Sequence, residues 1–487
     1  MGTDTLARWQ FGITTVYHYF FVPVTIGMSI LVAILQTVWH RTGNEQFLKL
    51  TKFFGKLFLI NFAMGLVTGI VQEFQFGMNW SEYSRFVGDI FGAPLALEAL
   101  IAFFLESTFL GLWIFGWDRL KPAVHLTMIW LAGIGTVISS VFIIAANSWM
   151  QNPVGAVYNP ATGRAELADF GAVLTNPIFL TQWPHTIAAA FMVAGAFIAA
   201  VAGWHLAKEG ISDEHAAAFR SAVKFGAVTL IISGLILMVS GDFLGKQMTK
   251  VQPMKMAAAE ALYETTTNAP FSVLSIGSLD GSKATRIIEV PGLLSFLAGE
   301  ATVKGINDLQ KEYAANGYYL SDGSQQQLQK DFATKLKAMN VDPTPNIPVS
   351  YWTFRIMMGL GFAAMGIGAW MLWLVRGTGR PKDTKLWLAA MVALPLLPLF
   401  ANSFGWIFTE MGRQPWIVAG VIPTSLAVSP SVSAGEVLAS MVVYTLLYGA
   451  LAVVEVGLML KYIKLGLPDV APVKVIEDED APLSFAY

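Results

Sequence analysis

Two histidines, one methionine and two carboxylates stand out in this chain, because each lies within or against a long apolar stretch. They are His18, His185, Met357, Glu98 and Glu410. An ionisable or metal-binding side chain at membrane depth is costly, and so points to function. Histidine is the usual axial ligand of haem iron, and a His/Met pair makes a low-spin site of raised potential. The chain has no cysteine. That excludes disulfides, iron–sulfur clusters, thiolate ligation and c-type haem attachment, leaving His, Met and carboxylate as candidate iron ligands. A single membrane histidine near a helix end also suits an interfacial role, and a methionine in a set of 20 also suits packing. Those readings stay open for each residue taken alone.

The elements that must position these residues are membrane helices. Of the 487 residues, 55% are hydrophobic and 13% charged, and the mean hydropathy is +0.56. A soluble chain carries about twice that charged fraction. The apolar residues gather into runs near the length of about 20 that a bilayer requires. Nine spans are expected: Ile13–Val38, Phe53–Phe74, Pro94–Trp117, Leu126–Trp149, Phe179–Leu206, Phe225–Phe243, Tyr351–Val375, Leu386–Phe408 and Leu438–Ile463. Met1 to Gln10 shows no cleavage-site pattern, so the first run reads as a retained helix. A net charge of −2 gives no reason to expect nucleic acid.

Lysine and arginine alternate between the short loops. Arg41, Lys49 and Lys52 follow the first span, Arg119 and Lys121 the third, Lys208 and Arg220 the fifth, and Arg376, Arg380, Lys382 and Lys385 the seventh, with Lys461 and Lys464 in the tail. The intervening short loops carry Arg85, Arg164 and Arg413. This bias puts the N-terminus outside and the C-terminus in the cytoplasm. The five residues named first then share one depth, near the outer face, on five helices. His40, His125, His205 and His215 fall at cytoplasmic ends and read as interfacial. Residues 245–350 form one long polar extracytoplasmic loop between helices 6 and 7, with Asp280-Gly281-Ser282, Gln325-Gln326-Gln327 and Pro343, Pro345 and Pro348. The chain divides as 1–244 (helices 1–6), 245–350 (outer loop), 351–466 (helices 7–9) and 467–487 (cytoplasmic tail). The fold class is an all-α integral membrane protein.

A polar line runs inward from the cluster. Glu98 and Glu106 are eight residues apart, about 12 Å along a helix, with Ser107 beside Glu106 and Ser139, Ser140 and Asn147 on the next span. Carboxylates and hydroxyls in series suit a proton relay. Interhelical hydrogen bonds would also explain the serines and the asparagine. Glu73 and Glu455 are intramembrane too, without an evident role beyond packing or haem-edge polarity.

Several stretches are long enough to carry a family resemblance. They are Trp9-Gln10-Phe11 with Tyr17-His18, Glu73-Phe74-Gln75-Phe76-Gly77, Gly92-Ala93-Pro94-Leu95 and Phe104-Leu105-Glu106-Ser107-Thr108. Phe115-Gly116-Trp117-Asp118-Arg119-Leu120, Trp149-Met150-Gln151-Asn152-Pro153, Phe354-Arg355-Ile356-Met357 and Gly412-Arg413-Gln414-Pro415-Trp416 complete the set. With them the chain resembles, from end to end, subunit I of cytochrome bd-type quinol oxidases. The resemblance implies two haem b groups, one low-spin and one high-spin, and one haem d. His185 and Met357 would be the axial pair of the low-spin haem, with Arg355 beside it. His18 and Glu410 would be the ligands of the two high-spin haems, in an order the family does not fix, with Glu98, Trp406 and Arg413 nearby. Lys255 and Glu260 match the pair implicated in quinol oxidation, in what resembles the shorter form of the family's Q-loop. Glu106, Ser107 and Ser139 match the proton path, with Glu98 at its end.

The expected function is a terminal quinol oxidase. It would oxidise menaquinol or ubiquinol at the outer face of a bacterial cell membrane and reduce O2 to water with cytoplasmic protons, without pumping. The implied partners are a second large membrane subunit and, in some members, a small single-span one. A membrane cytochrome that only relays electrons, or a proton-coupled transporter without cofactor, remain the alternatives.

Overall fold

The computed structural model describes residues 2–278, 283–318 and 326–470. Asp280-Gly281-Ser282, Gln325 and residues 471–487 of the expected tail lie outside the described residues. Among the described residues, nine helices are long and apolar enough to cross a bilayer. They are α1 (Thr3–Thr42), α2 (Glu45–Met78), α3 (Ser81–Phe115), α4 (Pro122–Gln151), α5 (Pro177–Ala207), α6 (Asp213–Val251), α7 (Ile347–Leu374), α8 (Lys385–Met411) and α9 (Ala434–Leu465).

The helices run past the expected boundaries at most ends. At 27 to 40 residues they are about 40–60 Å long, against a hydrocarbon core of about 30 Å. Hydropathy sees only the embedded part, whereas the helix continues until a cap or a breaker stops it. Ser212, Thr384, Asn346 and Ser433 cap α6, α8, α7 and α9, each accepting a backbone N–H with its side chain. Pro94, expected at the start of the third span, lies inside α3, which begins at Ser81. α6 continues to Val251, so the outer loop begins at Gln252.

That loop is folded. It holds short helices at Pro253–Ala259, Leu293–Ala298, Ile306–Asn316 and Gln327–Ala338. Strands Phe271–Gly277 and Ala284–Val290 pair antiparallel, as do Thr266–Thr267 and Thr302–Val303. A further small hairpin, Ala156–Asn159 with Arg164–Leu167, follows α4.

In lipid there is little hydrophobic gain from pairing two apolar helices, so close approach depends on small residues. α5 and α6 make the tightest antiparallel pair. A Cβ on Gly195 would lie 2.7 Å from the Gly226 carbonyl oxygen, and one on Gly226 would lie 2.6 Å from the Ala199 nitrogen. α1 and α5 are the most enclosed helices, while α3, α7 and α9 turn most of their surface outward. Gly226→Ala should force backbone apart and destabilise the fold by about 1–3 kcal/mol. A lowered melting temperature of the detergent-solubilised protein is expected, and an unchanged one would show slack between these helices.

Candidate functional site

α3 is not α-helical throughout. Glu98–Phe103 forms a π-helical stretch, a feature that recurs at functional sites. Eight residues of ideal α-helix would turn Glu106 about 80° away from Glu98. The wider turn takes much of that rotation back. Both carboxylates now meet one face of α4: Ser139 donates to Glu98 Oε1 at 2.8 Å and Thr136 to Glu106 Oε1 at 2.9 Å. Gly135 permits the contact, since a Cβ there would lie 2.9 Å from the Glu106 nitrogen. Glu73 lies within electrostatic reach of Glu98. Ser107 is not brought into this line; it is exposed, and its hydroxyl bonds the Phe104 carbonyl of its own helix.

His18 on α1 meets Thr68 on α2, with Nδ1 2.9 Å from Oγ1. His185 on α5 meets Ser240 on α6, with Nδ1 3.0 Å from Oγ. Nε2 of each ring bonds to no described residue. His125 and His205 differ. They are buried rather than interfacial, and both ring nitrogens of each are engaged: His125 by Gln36 and the Trp113 carbonyl, His205 by the Ile463 carbonyl and Lys208.

Met357 on α7 packs against α8 where a Cβ on Gly405 would come 2.8 Å from its sulfur. Its level follows from a second contact, Gly234 of α6 against Met365 of α7. Seven residues further along α6 lies Gly241, against the His185 ring, about 10 Å along the axis. Eight residues back along antiparallel α7, in the same direction, lies Met357, about 12 Å along the axis. His185 and Met357 therefore stand at one height.

At the C-terminal end of α8, Glu410 is held between Asn147 of α4, which donates to Oε1 at 2.8 Å, and Arg413, which pairs with Oε2. Trp406, half-buried, lies one turn earlier on α8. Arg413 is buried, and its Nε and Nη1 have no partner among the described residues. The Tyr83 hydroxyl and both amide atoms of Gln75 are likewise buried without partners. Buried donors left unmatched mark a place for an acceptor that is not protein.

Lys255, on the first short helix of the loop, is 4% exposed. Its ammonium donates to Gln151 Oε1 of α4 at 3.2 Å and to the Thr409 carbonyl at 3.0 Å. Burial pushes its pKa down to about 7, with Glu410 opposing and Arg413 adding to the shift. Glu260, 1% exposed, ends the same short helix. Burial raises its pKa to about 7, against Arg355, the Ser272 N–H and Arg286.

Arg355 engages this loop directly. It pairs with Glu260 at 2.7 Å, donates to the Ala259 carbonyl and, at 2.6 Å, to that of Ser272, and stacks 3.9 Å over the Tyr351 ring. Oε1 of Glu260 remains buried without a partner among the described residues. Thr68, Ser240, Thr136 and Gln151 did not stand out from sequence. A hydroxyl followed by glycine inside an apolar span, as in Thr68-Gly69 and Ser240-Gly241, is the signal that could have found the first two.

Residues 6–467 match the family model described as cytochrome bd terminal oxidase subunit I. The chain is 42% identical, over 96% of its length and 94% of the relative's, to a cytochrome bd ubiquinol oxidase subunit 1 from Bacillus subtilis (strain 168). It is 36% identical to a cytochrome bd-II ubiquinol oxidase subunit 1 from Escherichia coli (strain K12), over 95% of the chain and 96% of the relative. The fold matches a solved bd oxidase from Geobacillus thermodenitrificans with a TM-score of 0.80 and 26% identity, covering 95% of this chain and 99% of that one.

Arg355→Leu would leave the Glu260 carboxylate buried without its cation, a loss of about 3–5 kcal/mol. The loop should then be cut faster by protease between residues 260 and 290. Cleavage at the wild-type rate would argue against Arg355 as its anchor.

Proposed function

Because the chain belongs to the cytochrome bd terminal oxidase subunit I family, we propose that it oxidises quinol at the outer face and passes the electrons to O2 inside the membrane. It is a multi-pass membrane protein, and its family carries haem and works with a second subunit. A terminal oxidase role sets aside the electron relay and the cofactor-free transporter.

The observation that carries the reading is the free Nε2 of both His18 and His185, each half-buried in a span with Nδ1 already engaged. His185 and Met357 would hold the low-spin haem b. His18 and Glu410 would hold the high-spin haem b and the haem d, with Trp406 against them and Glu98 at the oxygen side. Bound, these groups would supply electron transfer and oxygen reduction. The unmatched Arg413 donors fit haem propionates, and for Glu410 to reach iron one of its two present partners must give way. Arg355, bonded to Glu260 and to the Ser272 carbonyl of the loop, would act on the low-spin haem through its charge.

Glu260 would accept a proton from the quinol hydroxyl through its unpartnered oxygen, while Lys255 would donate to a quinol oxygen. Those protons leave outside. The protons consumed in making water would come from the cytoplasm along Glu106 and Glu98, with Thr136 and Ser139 orienting the carboxylates, and Ser107 nearer a partner subunit's surface. Opposite proton sides alone then build the gradient, without a pump. The N-terminus would be outside and the C-terminus cytoplasmic. A second large subunit, and a small single-span one, would cover the outward faces, with menaquinol or ubiquinol as donor.

Met357→Leu should abolish the low-spin haem bands in a reduced-minus-oxidised spectrum; unchanged bands would move the ligand elsewhere. Glu106→Gln should slow oxygen reduction about tenfold or more with haem content intact, and full activity would exclude it from the path. Glu260 must be deprotonated to act as base, so quinol oxidation should fall as pH drops below about 7. Lys255 must be charged to donate, so the rate should fall above about 7. Glu260→Gln should cut quinol oxidation but spare artificial electron donors, and equal loss with both would place the quinol site elsewhere.

A further inference from the structure

One arrangement occurs twice, at both histidines. On α2 a hydroxyl residue followed by glycine, Thr68-Gly69, faces His18. On α6 the same order, Ser240-Gly241, faces His185. Each hydroxyl has already committed its hydrogen to its own helix. Thr68 Oγ1 is 3.0 Å from both the Met64 and the Gly65 carbonyl oxygens, and Ser240 Oγ is 2.8 Å from that of Ile236. A hydroxyl has one hydrogen and two lone pairs, so what remains for the imidazole is an acceptor. The ring proton must then sit on Nδ1, and Nε2 is left with a lone pair.

The glycines set the ring's position. A Cβ on Gly69 would lie 3.1 Å from His18 Cε1, and one on Gly241 would lie 3.3 Å from His185 Cε1. Each ring rests against bare backbone, where a larger residue would push it away. His125 and His205 have no such arrangement: both turn Nε2 to a carbonyl, which fixes the proton on Nε2. The structure thus separates two rings with a free Nε2 lone pair from two without.

We propose that Thr68 and Ser240 are positioning residues that fix the tautomer of His18 and His185 and set the donor strength of each Nε2 toward haem iron. The inference rests on reading these histidines as haem ligands. An accepted Nδ1–H bond makes the imidazole a better electron donor, which favours ferric over ferrous iron. Without the acceptor, the potential of that haem should rise, and only that haem's.

The test is a redox titration of the intact membrane complex, followed in the visible haem bands. Ser240→Ala should raise the low-spin midpoint and leave the high-spin midpoints unmoved. Thr68→Val should raise one high-spin midpoint and leave the low-spin one unmoved. Ser240→Thr and Thr68→Ser, which keep the acceptor, should restore wild-type values. A plain interhelical hydrogen bond would affect stability without this selectivity, so haem-replete Ser240→Ala and Thr68→Val with wild-type midpoints overturn the proposal. If either variant loses its haem, the conservative variant must recover both haem and midpoint; failure to do so also overturns it. A wild-type complex lacking haem bands would instead refute the ligand reading itself.

Discussion

A polar group inside a bilayer must find its hydrogen-bond partner within the protein, and here one stripe of one helix supplies four of them. Along α4, Thr136 serves Glu106, Ser139 serves Glu98, Asn147 serves Glu410 and Gln151 serves Lys255. The steps of three, eight and four residues keep these side chains near one face over about 22 Å. Four groups from three other segments are thereby ranked by depth. The π-helical stretch of α3 and the bare backbone at Gly135 are what that ranking demands of the neighbouring helix.

The end of the bundle beneath the long loop carries two buried ion pairs of different character. Glu410 and Arg413 are three residues apart on one turn, and the arginine keeps unmatched donors. Glu260 and Arg355 join a loop to a membrane helix, and there the carboxylate keeps the unmatched atom. Lys255 has neutral oxygens for partners, with no carboxylate in direct contact among the described residues. That is why burial dominates its proton affinity, while Glu260 is partly compensated by a cation.

Much of this was legible before any coordinates. Nine apolar runs gave nine helices, because transfer of apolar side chains into lipid is the largest energy in such a chain. The common height of His185 and Met357 follows from counting residues along rods of known rise. Partnerships across sequence were not legible. Arg355 reads as a neighbour of Met357, yet its bonds go to residues 83 to 96 positions away. The π stretch at Glu98 has no signature in composition, since it answers to α4. Helix ends were misjudged because capping by Ser212 or Thr384 is a short-range polar event that hydropathy does not weigh. His125 and His205 looked interfacial because position along a helix says nothing about the face.

The two histidine sites also differ in reach from the other half of the proposed ligand set. His18 and Thr68 belong to consecutive helices, as do His185 and Ser240. Each pair is thus complete within a single hairpin of two successive helices, spanning 50 and 55 residues of sequence. During synthesis from the N-terminus, domains and units can assemble as they emerge. Both imidazoles would then be oriented before α7 and α8, which carry Met357 and Glu410, have been made. The order of the chain matches an order of assembly in which the oriented half of each proposed iron site waits for the half that would close it.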